Sequence, residues 1–352
     1  MNSKISIKSI VVFGTNWVGD AVMSIPALRE LRRIFPDASI SLFTRSWAEG
    51  IFSNASFIDD IIAFDKGKSR IRSLLDQTQF LREGRFDLAV LLPNSFQSAL
   101  TAAIARIPRR IGYNKDLRGL LLTDPLAVPE WKNKRHEVFY YLNLVAEVEK
   151  RILGTDTVLH SEPETTLEIS DERKRKARSI LASAGINLSK TVVALGVGST
   201  NSRAKRWPAR HYAELNDRLQ SELSASVFLA GSQDEIEISA EVSNLSQRKP
   251  HILTGSTDIA QAAAILSEVD LLISNDMGLA HLAPAVGTKT LVIFGPTNPE
   301  TTRPFSRNAA IILEPVECSP CMLRDCPIDH RCMTRISVDE VFKMAVQSLI
   351  EE

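Results

Sequence analysis

The feature that most constrains this chain is a repeated order of elements, in which a short apolar run is followed by a polar turn and then by a helical pattern. Runs rich in Val, Ile and Leu occupy residues 7–13, 88–92, 191–195 and 269–273. Such runs are typical of parallel strands whose sheet is covered by helices on both faces. Their alternation with helices indicates βαβ units with right-handed crossovers. The sequence therefore predicts an α/β fold with parallel sheets.

The length of the chain suits two domains rather than one. Its 352 residues exceed what a single hydrophobic core usually serves. The polar stretch 154–166, which contains Pro163, indicates the exit from the first domain. We predict a Rossmann-like domain over residues 1–165, a second over 166–335, and a terminal helical segment over 336–352.

The composition excludes several classes of protein. Lys and Arg together number 42, as do Asp and Glu, so the overall charge does not attract nucleic acid. The N-terminal stretch 1–10 is polar and lacks the apolar core of a signal peptide. No run of about 18 consecutive apolar residues occurs. We therefore expect a soluble, cytoplasmic protein without nucleic-acid partners.

The turn after the first apolar run carries the first candidate for chemistry. It lies at the carboxyl end of a predicted strand, where open α/β sheets bind their ligands. Gly14 and Gly19 do not have the G-x-G-x-x-G spacing and no Walker lysine follows, which disfavours a dehydrogenase or a P-loop protein. Asp20 stands at the start of the predicted helix, where both helix capping and catalysis remain open.

A second polar loop follows the run at residues 88–92 and would lie at the same edge of the sheet. Its side chains Asn94, Ser95 and Gln97 suit hydrogen bonds to sugar hydroxyls. Helix capping by Ser95 is the alternative.

The stretch 106–135 has a strong excess of positive charge. Its cations are Arg106, Arg109, Arg110, Lys115, Arg118, Lys132, Lys134 and Arg135. Because leucines interrupt the cations, this stretch suits a surface that meets anionic amphiphiles, with a solvated basic loop as the alternative. Nucleic acid is disfavoured because Tyr113 and Trp131 are the only rings available for base stacking.

In the second half, the stretch 274–281 directly follows an apolar run and directly opens a helix. The free N–H groups and positive dipole end of such a helix form a seat for phosphate. Asp276 is placed to cap the helix or to accept a sugar hydroxyl, Gly278 lets a ligand approach the backbone, and His281 falls near the first turn. An ordinary capped turn is the alternative.

Three further polar loops are predicted at that same edge. The long loop 196–207 contains Ser199 and Lys205, and Lys205 would act as a point charge for a diphosphate unless the loop is merely a solvated basic one. Asp234 follows the next strand, where an acid commonly holds ribose hydroxyls. Gly295 opens the last of these loops. Together the loops predict a binding site at one sheet edge.

Five short motifs occur in one order along the chain and carry a resemblance to a known family. They are Asn16-Trp17-Val18-Gly19-Asp20, Leu92-Pro93-Asn94-Ser95-Phe96, Ala204-Lys205-Arg206-Trp207-Pro208, Asn275-Asp276-x-Gly278-Leu279-x-His281 and Phe294-Gly295-Pro296-Thr297. In these motifs the chain resembles glycosyltransferase family 9, the lipopolysaccharide heptosyltransferases, and most closely its heptosyltransferase II branch.

The resemblance implies a GT-B fold, in which two Rossmann-like domains face each other across a cleft and the terminal helix packs back on the N-terminal domain. It implies an inverting, metal-independent transfer of L-glycero-D-manno-heptose from ADP-heptose to the first heptose of the inner core on Kdo-lipid A. The N-terminal domain would bind the acceptor and the C-terminal domain the ADP-sugar. Peripheral contact with the cytoplasmic face of the inner membrane follows from such an acceptor.

The resemblance also implies roles for individual residues. Asp20 would be the base that accepts the proton of the acceptor hydroxyl. The residues expected to bind the donor are Ser199, Lys205, Asp234, Asp276, Met277, Gly278, Leu279, His281 and Gly295. The residues expected to bind the acceptor are Trp17, Asn94, Ser95, Gln97, Arg109, Arg110, Lys115 and Arg118.

The sequence leaves several alternatives to this reaction open. Met277 stands where the family usually has Ser or Thr, which leaves open a different nucleotide-sugar donor. Heptosyltransferase I or III would differ mainly in the acceptor. A nucleotide-sugar epimerase of the same architecture would leave the basic stretch unexplained, and a non-catalytic binding module would not need Asp20.

Four cysteines fall within fifteen residues near the C-terminus and raise the question of a metal. Cys318, Cys321, Cys326 and Cys332, with His330 as a fifth candidate, are compatible with a structural zinc or an iron–sulfur ligand set. A disulfide pair or free structural thiols are the alternatives. We expect neither a cofactor nor a catalytic metal.

Overall fold

The structure of the chain is a computed structural model that describes residues 7–65 and 69–350. It divides into two compact units, Met1–Thr165 and Thr166–Glu352. Most of the polar N-terminal segment interpreted above as lacking a signal sequence, residues 1–6, lies outside the described residues.

The first unit is a parallel sheet with helices between its strands. Its strands are β1 (Ser9–Phe13), β2 (Ser39–Arg45), β3 (Asp60–Phe64), β4 (Leu88–Leu91), β5 (Arg109–Tyr113) and β6 (Asp124–Leu126). Its helices are α1 (Val18–Met23), α2 (Ile25–Ile34), α3 (Ser46–Phe52), α4 (Arg70–Glu83), α5 (Phe96–Ile104) and α6 (Glu137–Ile152), with 3-10 turns at Arg118–Leu121 and Val158–His160. The strand order is β3-β2-β1-β4-β5-β6, the order of a doubly wound sheet.

The second unit repeats this architecture. Its strands are β7 (Val192–Gly196), β8 (Ser226–Leu229), β9 (His251–Ile252), β10 (Leu271–Asn275), β11 (Lys289–Phe294) and β12 (Ala309–Leu313). Its helices are α7 (Asp171–Ser183), α8 (Ala209–Glu222), α9 (Ile236–Leu245), α10 (Ile259–Leu266), α11 (Gly278–Ala285), α12 (Pro299–Thr302), α13 (Arg331–Thr334) and α14 (Val338–Ile350), with 3-10 turns at Arg203–Lys205 and Gln233–Glu235. The strand order β12-β11-β10-β7-β8-β9 is again that of a doubly wound sheet.

The prediction of two parallel Rossmann-like sheets is confirmed, since every strand pair is parallel within the described sheets. The continuous apolar character of the central strands has a simple cause. Ile10, Val11 and Val12 of β1 and Leu271 and Leu272 of β10 have no exposed surface. Because successive residues of a strand point to opposite faces, both faces of each sheet are buried.

The stretch 106–135 is not the basic loop that its charge suggests. It contains two parallel strands, β5 and β6. The short apolar segments between the cations are the strand interiors, with Ile111 and Leu126 buried. Charge at the strand ends obscured the strands in the sequence.

The helix after β1 is interrupted, as the position of Pro26 predicts. Helix α1 ends at Met23 and α2 begins at Ile25, with Ser24 between them. Proline has no N–H to donate and tolerates only the first turn of a helix, so a new helix begins just before it.

The terminal helix α14 is part of the second unit. Its buried side chains Val338, Val341, Phe342 and Ala345 recur at helical spacing and join the core of the second unit. The guanidinium of Arg218 in α8 lies 4.0 Å from the ring centre of Phe342. Contacts of this kind bind α14 to α8.

A buried carboxylate fastens the end of α6 to the segment that follows it. Glu149 is 1% exposed, and its oxygens accept hydrogen bonds from Thr155, Thr157 and the N–H of Val158. Burial alone would raise the pKa of this carboxyl, but the hydrogen bonds outweigh it and lower the pKa from 4.5 to about 2.

Glu149→Gln is expected to destabilise the protein at neutral pH. A folded-state pKa of about 2 against 4.5 corresponds to about 3 kcal/mol of free energy of unfolding. Because the folded-state pKa is the lower one, this stabilisation is present above about pH 4.5 and is lost as the pH falls towards 2. Urea unfolding across that range measures it.

Glu147→Gln provides the matched control on the same helix. Glu147 forms a partly exposed i,i+4 ion pair with Arg151, at 3.5 Å, so its loss should cost less than about 0.5 kcal/mol. Equal destabilisation by the two changes would contradict the special role of Glu149.

Among the described residues, no helix combines the length and the apolar character needed to cross a bilayer.

Candidate functional site

Both units present most of their candidate residues at the carboxyl edge of the sheet, where the parallel strands end. In the first unit, Asp20 lies in the first turn of α1, just beyond the end of β1. The N-cap position belongs to Trp17, so the capping role left open for Asp20 is not the one the structure gives it. A carboxylate in the first turn is favoured by the helix dipole.

Tyr141 of α6 holds the Asp20 carboxylate. Its phenol donates a hydrogen bond of 2.9 Å to Oδ1 of Asp20. Burial raises the pKa of Tyr141 well above its ordinary value of 10, and the negative charge of Asp20 raises it further. The phenol therefore stays protonated and remains a donor to the carboxylate. Nothing in the spacing of the two residues along the chain indicates this pair.

The loop after β4 is built around Asn94. Its side-chain amide donates to the hydroxyl of Tyr140 at 2.9 Å, and its Oδ1 accepts from Arg118 at 3.2 Å. Ser95 is the N-cap of α5, where its hydroxyl accepts from the N–H of Ser98. The capping alternative for Ser95 is therefore what the structure shows.

Arg118 is a correction to the predicted acceptor residues. Its side chain is fully buried, and besides Asn94 it donates to the carbonyls of Tyr113, at 2.7 Å, and of Pro93. Burial lowers the pKa of the guanidinium to about 10. The guanidinium donates its hydrogen bonds to groups of the protein itself. Arg118 therefore positions the Asn94 loop instead of binding a ligand.

Arg109 and Arg110 are a second correction. They begin β5 and therefore lie at the amino edge of the sheet, opposite to the edge that carries Asp20. Arg109 pairs with Asp124 at 3.0 Å, and Arg110 donates to the carbonyls of Leu121 and Ile107. Both guanidinium groups hold the β5–β6 region together.

The remaining predicted acceptor residues lie at the carboxyl edge. Trp17 is 55% exposed, and Gln97 and Lys115 are also exposed. They follow β1, β4 and β5, which are neighbours in the sheet.

In the second unit, Lys205 and Asp276 form an ion pair at the end of β10. Lys205 Nζ lies 2.7 Å from Oδ2 of Asp276, and Thr297 donates to the same oxygen at 2.7 Å. The side chain of Asp276 is 7% exposed, and the N-cap of α11 is Met277. The carboxylate of Asp276 thus pairs with Lys205 and accepts a hydrogen bond from Thr297 instead of capping the helix. Thr297 belongs to a quoted motif, but its role was missed.

Asn275 joins the loops around this ion pair, although it was not among the predicted site residues. It has no exposed surface, and its Oδ1 accepts from the N–H of Trp207 at 2.9 Å and from Tyr212 at 3.1 Å. Its amide donates to the carbonyls of Val197 and Gly198. A polar residue that directly ends an apolar strand was the available signal.

The start of α11 lies directly beside the ion pair. Gly278 and Leu279 form its first turn, whose N–H groups have no partners within a helix. Met277 places its sulfur near Gly196, since a Cβ on that glycine would lie 3.1 Å from it. The side chain of Met277 therefore points to the end of β7. His281 is buried one turn further along α11.

Glu235, and not Asp234, is the buried acid after β8. Asp234 is exposed, whereas Glu235 is 1% exposed. Oε2 of Glu235 accepts from the N–H and the hydroxyl of Ser232, while Oε1 has no hydrogen-bond partner among the described residues. Burial raises the pKa of this carboxyl. An unpaired buried oxygen is costly, so it marks a place where a ligand donor fits.

Gly198 makes room for that carboxylate. A Cβ at Gly198 would lie 2.2 Å from Oε1 of Glu235. Ser199 follows it and is 4% exposed, and its carbonyl accepts from Arg206 at 3.1 Å. The loop after β7 and the acid after β8 are therefore in direct contact.

The cysteine-rich segment 318–332 braces the loops that carry Lys205 and Thr297. The N–H of Ala204 donates to the carbonyl of Arg324 at 2.9 Å. At the other loop, the hydroxyl of Ser319 donates to the carbonyl of Gly295 at 2.5 Å. This segment therefore supports the carboxyl edge of the second sheet through its backbone and Ser319.

The four cysteines are present as free thiols. Cys318 and Cys321 are exposed, whereas Cys332 is buried and its pKa is raised to about 11, chiefly by burial. Within the described residues, no group of three or more His, Cys, Asp or Glu side chains is arranged to hold a metal ion. The structure therefore forms neither the zinc site nor the disulfide pair that the spacing allowed.

Comparison with known families decides what this arrangement belongs to. The sequence model of Glycosyltransferase family 9 (heptosyltransferase) matches residues 75–331, which include the Asn94 loop and the polar loops at the carboxyl edge of the second sheet. The chain belongs to glycosyltransferase family 9. It is therefore a glycosyltransferase, as the five motifs predicted.

Relatives in this family resemble the chain over most of its length. Lipopolysaccharide heptosyltransferase 2 of Salmonella typhimurium is 30% identical over 317 residues, which cover 86% of this chain and 87% of the relative. The protein of the same name from Escherichia coli is 30% identical over 314 residues, covering 86% and 87%.

The solved structure of E. coli ADP-heptose lps heptosyltransferase II superimposes with a TM-score of 0.84 at 27% identity. The match covers 97% of this chain and 98% of that one. The family 9 glycosyl transferase from Veillonella parvula DSM 2008 has the same fold, with a TM-score of 0.84, 24% identity and 99% of both chains covered. The predicted GT-B fold is thereby confirmed.

Proposed function

We propose that this glycosyltransferase moves L-glycero-D-manno-heptose from ADP-heptose to the first heptose of the inner core on Kdo-lipid A, with inversion and without a catalytic metal. The observation that carries the proposal is the Lys205–Asp276 pair at the N-terminus of α11. A cation beside free helical N–H groups is the arrangement that binds a diphosphate. The names of the relatives support heptose as the transferred sugar and lipopolysaccharide as the acceptor.

On the donor side, each group has a separate task. Lys205 and the N–H groups of Gly278 and Leu279 would bind the diphosphate and stabilise its charge as ADP departs. Oε1 of Glu235 would accept a hydrogen bond from a ribose hydroxyl. Glu235 would thus take the role that was expected of Asp234. Ser199, Asp276, Met277, His281 and Gly295 would line the same edge.

The group that would accept the proton belongs to the first unit. Glycosyl transfer passes through an oxocarbenium-like state, and an inverting displacement needs a base on the acceptor hydroxyl, on the face opposite the leaving group. Asp20 would be that base. Tyr141 donates a hydrogen bond to Oδ1 of Asp20 and so orients the carboxylate. Trp17, Asn94, Gln97 and Lys115 would meet the acceptor.

Tyr141→Phe is expected to lower kcat about tenfold or more while leaving the KM for ADP-heptose unchanged, because the phenol orients the base and belongs to the acceptor unit. In an Asp20→Asn background the same change should have no further effect on kcat. Steady-state kinetics of the two single variants and the double variant measure this coupling.

Independent, multiplying losses in the double variant would show that Tyr141 does not act through Asp20. Ser246→Ala, which removes a buried hydroxyl that donates to the carbonyl of Val242 in the second unit, is the control for the loss of a buried hydrogen bond.

We infer further that the protein works at the cytoplasmic face of the inner membrane, where a lipid-linked acceptor is available. The proposal as a whole is tested by measuring ADP release from ADP-heptose with and without heptose-bearing Kdo-lipid A. Release that requires the acceptor, with a mass gain of one heptose on that acceptor, is the expected result. Acceptor-independent ADP release, or ADP binding without turnover, would reject it.

A further inference from the structure

Two leucines of the first unit stand almost entirely in solvent. Leu117 is 90% exposed and Leu120 is 97% exposed, the highest values among the large apolar side chains of the described residues. Asp116 and Leu117 both have left-handed backbone angles, with φ of 53° and 60°. Because a bulky residue is strained there, the loop holds these side chains outwards at a cost in free energy.

This exposure does not come from a loose loop. Arg118, between the two leucines, is fully buried and donates hydrogen bonds to Tyr113, Pro93 and Asn94. Burying a guanidinium without a carboxylate partner is unfavourable unless its donors are satisfied. We call residues 114–120 the leucine loop. Arg118 fixes the leucine loop to the Asn94 loop and so presents the leucines rigidly.

The leucine loop is part of a longer apolar border. It follows β5, Phe96 follows β4, and Trp17 follows β1, and these three strands are neighbours in the sheet. Trp17 is 55% exposed and Phe96 47% exposed. Since the ends of parallel strands share one edge, these side chains line the edge that carries Asp20.

The chemistry of this border fits a lipid surface. Exposed leucines beside an exposed tryptophan and a lysine, here Lys115, are the side chains that enter a bilayer interface and meet anionic headgroups. Leucine side chains make no hydrogen bonds to a sugar, whose hydroxyls need polar partners. Resting on the proposed function, the acceptor is itself a membrane lipid.

We propose that the leucine loop inserts Leu117 and Leu120 into the anionic bilayer that contains the acceptor. Arg118 acts as the positioning residue that couples this insertion to the Asn94 loop. The bilayer surface is thereby set at a fixed height relative to Asn94 and Asp20, and a sugar that projects from the lipid meets the base at that height.

The chain offers a matched pair of control leucines in the same unit. Leu153 and Leu159 are 41% and 42% exposed. Helix α6 begins near the carboxyl edge, where Tyr141 contacts Asp20, and its 16 residues span about 24 Å. Leu153, just past its end, therefore lies far from the leucine loop.

The first test is flotation of the full chain with vesicles of phosphatidylethanolamine and phosphatidylglycerol. We expect L117Q/L120Q to reduce the bound fraction about tenfold or more relative to the wild type, and L153Q/L159Q to leave it unchanged. Lys115→Gln should weaken binding and reduce its sensitivity to salt. Equal flotation of the wild type and L117Q/L120Q, or no flotation of the wild type, would overturn the proposal.

The second test compares a soluble, de-acylated acceptor with the same saccharide on a lipid in vesicles. L117Q/L120Q should keep its rate on the soluble acceptor and lose about tenfold or more on the vesicle-bound one. Equal losses on both acceptors would show that the loop binds the saccharide itself. Self-association of the wild type that L117Q/L120Q abolishes would identify a second copy as the occupant. Either result would overturn the proposal.

These tests distinguish a failure of the leucine-loop proposal from a failure of the proposed function. Absence of wild-type turnover on the soluble acceptor would reject the heptosyl transfer, whereas flotation would still judge the loop without any chemistry. Because both leucines are exposed, the variants should melt at the wild-type temperature, and this comparison verifies that they are folded.

Discussion

Asp20→Asn is expected to lower the rate of heptosyl transfer by about 10² to 10⁴-fold, the range contributed by a positioned general base. Asparagine keeps the shape of the side chain and can still pair with Tyr141, so the change removes basicity without opening a cavity. ADP affinity should not change, because the residues proposed to bind ADP belong to the second unit. Single-turnover transfer and calorimetric ADP binding measure the two effects separately.

The matched control for Asp20 is Glu49→Gln. Glu49 also lies in the first turn of a helix that follows a strand of the first sheet, but it is exposed and belongs to α3. Its replacement should leave transfer within about twofold of the wild type, as expected of a surface residue. If Asp20→Asn weakened ADP binding or lowered the melting temperature as much as it lowered the rate, Asp20 would be a structural residue and not the base.

Lys205→Ala is expected to weaken ADP binding and to slow transfer together, with a loss of about 2.7 to 4 kcal/mol of transition-state stabilisation. Two effects add here. The ammonium that would meet the diphosphate is gone, and the buried carboxylate of Asp276, 2.7 Å away, is left as a negative charge beside the phosphate position. Titration with ADP and measurement of kcat/KM for ADP-heptose test both.

The chain supplies a close control for Lys205. Arg203 lies in the same 3-10 turn, but its exposed guanidinium pairs with Asp325 at the surface. Arg203→Gln should change ADP affinity by no more than about threefold. In Lys205→Ala/Asp276→Asn, stability should recover because no unpaired buried charge remains, while ADP affinity stays low. Unchanged ADP affinity in Lys205→Ala would remove Lys205 from the donor site.

Local patterns predicted the two sheets and most of their strands. Runs such as those in β1 and β10 are apolar at every position because both faces of each sheet are covered, so the pattern and its cause are both local. The strands β5, β6 and β12 were not predicted. Strands β5 and β6 are short, and Arg109, Arg110 and Asp124 mark their ends with charge.

The candidate site was predicted as a set of loops, but the partner of each side chain was not. Asp20, Lys205 and Asp276 were identified because each stands at a turn from strand to helix. Their partners Tyr141 and Thr297 come from other elements, and no spacing along the chain connects them. Arg118 was misinterpreted for a related reason, since charge alone does not reveal that a guanidinium will be buried.

By itself, the sequence determined the fold class, the family and the edges of the sheets at which ligands bind, because strand periodicity, turn residues and short motifs are properties of neighbouring residues. Only the tertiary structure decided which charged groups are available to a ligand. Arg109, Arg110 and Arg118 pair with groups within the protein, and Glu235 instead of Asp234 is the buried acid after β8. Leu117 and Leu120 are exposed to solvent. The physical reason is that burial and hydrogen bonding depend on residues far apart in the chain.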